Sequence, residues 1–379
     1  MALLSLVTPV TTEIPVWRRA VLKIGSSLIA PGGESLSTRH LLDIARFIER
    51  ARGSKREVIV VSSGAVAAGR AALRARGQTA PEGIGGRQAL AALGQAELMR
   101  FWARFFDFPV AQLLLTQDDV ADRRRFLNAR NTLRGLRSVD VLPIINENDS
   151  VAVDELRFGD NDTLAAHVAV LVEADLLFLC TDVDGLYDRD PRLHPDAHRL
   201  RRIEAIDETV MSLAGDAGTS VGTGGMRTKL TAARRAAEAG IGTVILDGRG
   251  DASLSDLLQA RNPGTYVLPA QQRRAARKHW MLHALPTAGV LHIDAGASTA
   301  LSGAGASLLP RGIVSSEGQF EVGDAVEIHC DGRAIGKGIV QYRATELARI
   351  RGRHSREIVE LLGECPSESV VHRDDLVLL

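Results

Sequence analysis

Between about Arg19 and Gln259 the chain alternates short, near-continuously apolar runs with longer stretches of helical period. That alternation restricts the fold more than any other feature. The apolar runs are Ala20–Ile24, Val58–Ser62, Val110–Leu115, Val141–Ile145, Leu176–Thr181 and Thr243–Leu246. Between them, Thr38–Arg52, Ile84–Phe106, Arg124–Leu136, Thr163–Glu173 and Met226–Ala239 are amphipathic with a helical repeat. A strand without a polar face must be covered on both sides. The pattern therefore predicts an α/β fold, an open and mostly parallel sheet sandwiched by helices. In such folds ligands bind beyond the carboxyl ends of the strands, so polar and glycine-rich clusters at those ends are the candidates for chemistry.

The pattern changes near Pro263. A basic run (Arg273, Arg274, Arg277, Lys278, His279) precedes short alternating segments punctuated by glycine, from Val290–Asp294 through Gly312–Glu317, Ala325–His329 and Gly338–Tyr342 to Val370–Leu379. This predicts a second domain, a small C-terminal all-β barrel with its own core. The expected boundaries are a loose N-terminal tail over 1–16, the α/β domain over 17–270, a basic hinge over 271–287 and the barrel over 288–379. Lys plus Arg balances Asp plus Glu at 46 each, so no net field draws the chain to nucleic acid or membrane. Three isolated cysteines, Cys180, Cys330 and Cys365, lack metal-ligand spacing and fit a reducing compartment. Cys180 lies in a Leu/Phe-rich run and reads as core. Met1–Val10 has neither a basic n-region nor an A-x-A site, and no apolar run nears the ~20 residues of a membrane span. The expected location is the cytoplasm.

The most informative local feature is Gly222-Thr223-Gly224-Gly225-Met226-Arg227-Thr228-Lys229, a glycine loop running into a lysine at the head of an amphipathic helix. Backbone N–H groups converging at a helix N-terminus attract phosphate, and a lysine adds a full charge. Further clusters fall at expected strand ends: Lys23-Ile24-Gly25-Ser26-Ser27, Ser62-Ser63-Gly64-Ala65, Asn146-Glu147-Asn148-Asp149 followed by Phe158-Gly159-Asp160-Asn161-Asp162, and Thr181-Asp182-Val183-Asp184-Gly185-Leu186-Tyr187. Each has an ordinary reading alone: Asp162 as a helix N-cap, Asn146 and Asp149 as turn formers, Lys23 as a surface lysine. Their convergence on one edge of one sheet is what ordinary structure explains badly.

Taken in order, these motifs resemble the amino acid kinase family over nearly the whole chain from Val21 onward. Ile145–Asp149 with Phe158–Asp162 resembles the branch that phosphorylates the side-chain carboxylate of L-glutamate. Ser307–Val314, Phe320–Asp324 and His372–Asp375 resemble a PUA domain, an RNA-associated barrel; Asp375 stands where that domain often has asparagine.

The resemblance implies the amino acid kinase fold and ATP-dependent formation of L-glutamyl 5-phosphate, the first step of proline biosynthesis. It also implies Mg²⁺, a homo-oligomer, L-proline as a feedback inhibitor and functional coupling to glutamate-5-semialdehyde dehydrogenase. By the same resemblance Lys23, Lys229 and Asp162 are catalytic. Lys23, Gly25, Ser26, Thr181, Asp182, Thr223, Gly224, Gly225, Met226, Arg227, Thr228 and Lys229 bind ATP. Ser63, Asn146, Asp149 and Asn161 bind glutamate, with Asp149 the partner of the α-ammonium group. No sequence feature fixes metal ligands, and His167 reads as structural. The alternatives are a sister activity, acetylglutamate kinase or aspartokinase, or an RNA-binding or RNA-modifying protein working through the barrel, for which neutral charge predicts weak affinity.

Overall fold

The computed structural model describes residues 13–152, 161–214, 225–270 and 287–379. The chain divides into two compact units, Met1–Arg273 and Arg274–Leu379. The first unit opens with β1 (Arg19–Ile24), α1 (Ser26–Ile29), α2 (Leu41–Gly53), β2 (Glu57–Ser62), α3 (Ala65–Arg74) and α4 (Gly83–Ala103). It continues through β3 (Val110–Leu115), α5 (Gln117–Ala121), α6 (Arg123–Ser138), β4 (Leu142–Glu147), α7 (Asn161–Leu171) and β5 (Leu176–Thr181). A small hairpin of β6 (Leu186–Tyr187) and β7 (Arg199–Leu200) leads to β8 (Arg202–Ile203) and α8 (Glu208–Ser212). The unit closes with α9 (Met226–Glu238), β9 (Gly242–Asp247), α10 (Asp251–Leu258) and β10 (Thr265–Val267).

The eight-stranded sheet has the order β3-β4-β2-β1-β5-β9-β10-β8. Neighbours are parallel except β9 and β10. Alternate residues of each strand feed two cores, which explains why the strands read as unbroken apolar runs. Leu22, Ile24, Val60, Ile144 and Phe178 pack on one face with Phe47 and Ile48 of α2 and Leu98 and Trp102 of α4. Val21, Val61, Ile145, Leu177 and Leu179 pack on the other with Leu164 and Val168 of α7 and Leu230 and Ala233 of α9. Trp17 joins the first core edge-on to Phe178 at 5.3 Å, its indole N–H donating to the Leu257 carbonyl at 3.0 Å. The packed chain already includes Ile14, which is buried and donates its N–H to the Ala260 carbonyl.

The sheet sets the carboxyl ends level. Ile24 pairs with Ser62 on one side and Cys180 on the other, and Leu114 pairs with Asn146. Strand order reverses around β1, since β2 and β4 lie to one side of it and β5 and β9 to the other. Ligands of open α/β sheets settle at that reversal. The structure also lengthens the fourth strand beyond the expected Ile145: Asn146 and Glu147 belong to β4, and Asn146 is a buried strand residue, not a turn former.

The second unit carries β11 (Thr287–Ile293), α11 (Ala295–Ala304), β12 (Ile313–Gly318), β13 (Ala325–Cys330), β14 (Arg333–Val340), α12 (Ala344–Ile350), α13 (Ile358–Leu362) and β15 (Val371–Leu378). Its five strands lie in the order β12-β11-β13-β14-β15 around a separate core that includes Leu291, Phe320, Val326, Tyr342 and Val371. The basic residues 273–279 lie outside the described residues.

Helices α3 and α4 approach each other closely, backbone against backbone. A Cβ added to Gly94 would meet the Ala65 carbonyl oxygen at 1.8 Å and the Gly69 nitrogen at 2.3 Å; one added to Gly69 would meet the Leu90 oxygen at 2.0 Å. Backbone cannot give way as a side chain can, so Gly94→Ala must push the helices apart. We expect it to destabilise the protein by about 1–3 kcal/mol. Gly135→Ala, in α6 with no atom within 4 Å of the added methyl, should instead stabilise by up to about 1 kcal/mol. Urea unfolding of both variants checks this, and a Gly94→Ala midpoint equal to wild type would contradict the close packing.

Candidate active site

A carboxylate buried inside a protein needs compensating charge, because desolvation disfavours its ionised form. Asp162, the second residue of α7, is fully buried, and two lysines converge on it. Lys23 Nζ, from β1, lies 2.5 Å from Oδ1, and Lys229 Nζ, in the first turn and a half of α9, lies 3.1 Å from Oδ2. The Thr228 hydroxyl donates to the same Oδ2 at 2.9 Å. Burial alone raises the Asp162 pKa, but the charges of Lys23 and Lys229 outweigh it and hold the carboxyl down at about 2. Both lysines are themselves about nineteen-twentieths buried, at 4% and 5% exposure. Two ammonium groups on one carboxylate leave a surplus positive charge at the carboxyl end of the sheet.

The surrounding backbone suits an anion. Gly225 is the N-cap of α9 and Gly25 precedes α1, and neither helix start carries a side-chain cap. Their first N–H groups therefore lack the usual internal partner. Gly25 is fixed beside β5 by its N–H to the Cys180 carbonyl at 3.1 Å, and Ser26 opens α1. Thr181 is buried at the end of β5 and donates its hydroxyl to Asp182 Oδ1 at 3.1 Å, while Asp182 is exposed. Met226 packs against the second core and Arg227 is exposed. Thr223 and Gly224 lie outside the described residues, as do Phe158, Gly159 and Asp160.

Beside the lysines lies a chain of neutral hydrogen bonds. Asn161, immediately before Asp162, donates through Nδ2 to Ser63 Oγ at 2.8 Å and to Asn146 Oδ1 at 2.9 Å. Its own Oδ1 is buried with no partner among the described residues. A buried acceptor left open is costly. Gly64 follows Ser63 with φ +110°, a left-handed turn that glycine adopts without strain and that leads directly into α3. Asp149 stands in the turn after β4, half-buried, and the turn is tied by the Val151 N–H to the Asn148 carbonyl at 3.2 Å.

The structure thus brings Lys23, Lys229, Asp162 and Thr228 together on one side, and Ser63, Asn146 and Asn161 on the other. It adds two groups that no motif marks. Gln95 of α4 accepts from Asn146 Nδ2 at 3.0 Å, and Gln112 of β3 accepts from Gln95 at 3.3 Å. Both sit inside amphipathic or apolar stretches where a lone glutamine carries no signal. The second half of the Thr181–Tyr187 motif is architectural: the Tyr187 hydroxyl and Arg199 both donate to Asp184, at 2.9 and 2.7 Å. His167 is pushed down to about 4 by burial and by the charge of Arg235. It is neutral at pH 7 and, in α7, meets Arg235 instead of the lysines.

Comparison with known proteins agrees with these features. Residues 18–247 match the amino acid kinase family and residues 289–362 the PUA domain. A glutamate 5-kinase of Salinibacter ruber is 54% identical over 372 residues, covering 97% of this chain and 99% of that protein. One from Xanthomonas campestris pv. campestris is 53% identical over 95% of this chain and all of its own length. A third, from Xylella fastidiosa, is 51% identical over 97% of this chain.

Removing one partner of a buried ion pair costs about 3–5 kcal/mol. We therefore expect Asp162→Asn to lower the denaturation midpoint strongly, and ATP to recover part of the loss by supplying negative charge to both lysines. The pH dependence has a definite sign. The folded carboxyl titrates below its unfolded value, so its contribution is complete above about pH 4. It disappears as the pH falls toward the folded value of about 2. Acid-unfolding curves of the variant should lack that component; curves parallel to wild type would show that the ion group does not hold the fold.

Proposed function

The chain belongs to the amino acid kinase family, and from that premise we propose that it transfers the γ-phosphoryl group of ATP to the side-chain carboxylate of L-glutamate. The product is L-glutamyl 5-phosphate, and the reaction is the first step of proline biosynthesis. The observation that carries this reading is the pair of lysines on Asp162 beside the Asn161–Ser63–Asn146 network. A charged donor half and a neutral, hydrogen-bonding acceptor half share one edge of the sheet. The full-length similarity to glutamate 5-kinases supports glutamate as the acceptor.

In the reaction a glutamate side-chain oxygen forms a bond to the γ-phosphorus while the bond from that phosphorus to the β,γ-bridging oxygen breaks, leaving ADP. A glutamate carboxylate, with a pKa of about 4.3, is already ionised at neutral pH and needs no general base. The barrier comes from bringing an anion to a polyanion. Lys23 and Lys229 offset that repulsion, and their surplus charge matches the negative charge on the transferring group. Asp162 keeps the two ammonium groups together when no phosphate is present. Gly25, Ser26, the start of α9 with Thr223 to Thr228, and Thr181 and Asp182 form the nucleotide side. Ser63, Asn146, Asn161 and Asp149 form the glutamate side, where the open Asn161 Oδ1 and the Asp149 carboxylate suit the α-ammonium group.

Among the described residues no three His, Cys, Asp or Glu side chains converge as a metal ion requires, and Asp162 is engaged by lysines. Mg²⁺, when bound, would be held largely by the nucleotide's phosphate oxygens and water and would shield their charge. No helix among the described residues is long and apolar enough to cross a membrane, and a cytoplasmic homo-oligomer is the setting we infer. The acyl phosphate is reactive, which favours functional coupling to the dehydrogenase that consumes it.

The direct test is ATP-dependent acyl phosphate formation, trapped with hydroxylamine, for glutamate, N-acetylglutamate and aspartate; preference for either of the latter two would overturn the assignment. Lys23→Ala and Lys229→Ala should each lower kcat by about 10²–10³ with little change in glutamate KM, and near-normal single-turnover rates would remove the lysines from the chemistry.

L-Proline carries the same α-ammonium and α-carboxylate groups as glutamate, so we infer that it competes at the acceptor side. Asp149→Asn should then raise the glutamate KM at least tenfold, as loss of a charge-assisted bond of about 1.5–3 kcal/mol implies. It should weaken proline inhibition in parallel and leave the ATP KM unchanged. Inhibition kinetics at several glutamate concentrations decide both points, and an unchanged glutamate KM returns Asp149 to a turn-forming role.

A further inference from the structure

Helix α4 lies outside every motif that marks the site, yet one of its side chains bonds to the acceptor half and two more bond to backbone or side chain next to it. Gln88, Gln95 and Trp102 stand seven residues apart, two helical turns in each interval, so they form one stripe along one face. Each donates a hydrogen bond from its ε-nitrogen. Gln88 holds the Ala152 carbonyl at 3.2 Å, Gln95 holds Gln112 at 3.3 Å, and Trp102 holds the Ser62 hydroxyl at 3.0 Å. Gln95 also accepts from Asn146 at 3.0 Å. The stripe therefore touches the end of β2 next to Ser63, the end of β4 at Asn146, and the far side of the turn that carries Asp149.

These partners are not interchangeable with water or with packing. Gln95 is 7% exposed and Asn146 is 3% exposed, so their amides have no solvent to fall back on. Asn146 Oδ1 already accepts from the Glu147 N–H at 2.9 Å and from Asn161. With its oxygen occupied, the plane of the Asn146 amide is set by where Nδ2 is received, and Gln95 receives it. Asn161 in turn takes its orientation from Asn146 and Ser63, which leaves its open Oδ1 pointing one way only. Helix α4 is a stiff support for this purpose, since its backbone is locked against α3 at Gly94 and Gly69.

We propose that α4 is the positioning element of the acceptor site, with Gln95 a positioning residue that sets the Asn146–Asn161 amides and Gln88 bracing the turn that carries Asp149. Gln95 touches no substrate; it acts through Asn146. The proposal rests on the reading of Ser63, Asn146, Asn161 and Asp149 as the glutamate side, and the experiment separates the two.

Steady-state hydroxamate kinetics of the full chain are measured for Gln95→Leu, Asn146→Ala and the double variant. Gln95→Leu removes the bonds to Asn146 and Gln112 and is expected to raise the glutamate KM about tenfold through the lost orientation of Asn146. The ATP KM should stay within about twofold, since the α4 hydrogen bonds described here run to Ala152, Gln112, Ser62 and Asn146 and not to the lysines. In the Asn146→Ala background the same substitution should add less than about twofold, because its effect passes through Asn146. A mere structural lesion would move both substrates and would add to Asn146→Ala. If Gln95→Leu leaves the glutamate KM unchanged while Asn146→Ala raises it, the positioning role is overturned and the acceptor reading stands. If Asn146→Ala itself has no effect on glutamate, the acceptor reading fails and the proposal falls with it. Should Gln95→Leu not fold, Gln88→Leu replaces it: the half-buried Gln88 should raise the glutamate KM severalfold alone, and an unchanged value overturns the role of α4.

Discussion

Everything at the carboxyl end of the sheet depends on how one buried carboxylate is compensated. Asp162 is fully buried and ionised because Lys23 and Lys229 lie against its two oxygens. Those lysines come from β1 and α9, elements far apart in the chain, so the ion group also clamps strand and helix to α7. The compensation is deliberately incomplete in sign. One negative charge facing two positive ones leaves a net charge of the kind a phosphate can satisfy. A site that must hold and then release polyanions benefits from lysines that already have a partner, since they are ordered before the nucleotide arrives and need not be reorganised during transfer.

Adjacent residues of α7 divide the labour. Asp162 faces the lysines, while Asn161 faces Ser63 and Asn146. The spacing between the lysine cluster and the amide cluster is thus fixed by one peptide unit at the start of a helix whose Leu164, Ala165 and Val168 are buried in the second core. Transfer between two bound anions is sensitive to alignment at the ångström level. A covalent link between the two halves is the most economical way to hold that alignment.

Much of this was legible in the sequence, for physical reasons. The unbroken apolar runs could only be strands covered on both faces, and the two cores bear this out residue by residue, with Val21 and Leu22 pointing opposite ways. Cys180 is core, as its Leu/Phe-rich surroundings indicated. The family and its PUA domain were readable from motif order alone. What escaped was whatever depends on tertiary contact. The fourth strand was expected to end at Ile145; burial against Gln95 carries β4 on through Asn146 to Glu147. Strands β8 and β10 are too short, at 2 and 3 residues, to show any periodicity. Gln88 and Gln95 are invisible for a similar reason: a single glutamine in a helix is equally at home in water, and only the fold reveals that it meets a buried partner.

Cys180 gives the sheet a built-in clock. Its thiol is buried in the first core, on β5 one residue before Thr181, and burial pushes it up to about 12, so in the native state it is neither accessible nor ionised. Cys330 is half-buried and Cys365 exposed. A thiol reagent therefore counts time differently at the three positions. Cys365 reacts on the timescale of the reagent, whereas Cys180 reacts only when the carboxyl end of β5 parts from its neighbours. Because Gly25 and Gly248 lean on that same stretch of backbone and side chain, the rate at which Cys180 is labelled measures how often this carboxyl end of β5 opens. It does so without any substrate, and without any substitution in the machinery above it.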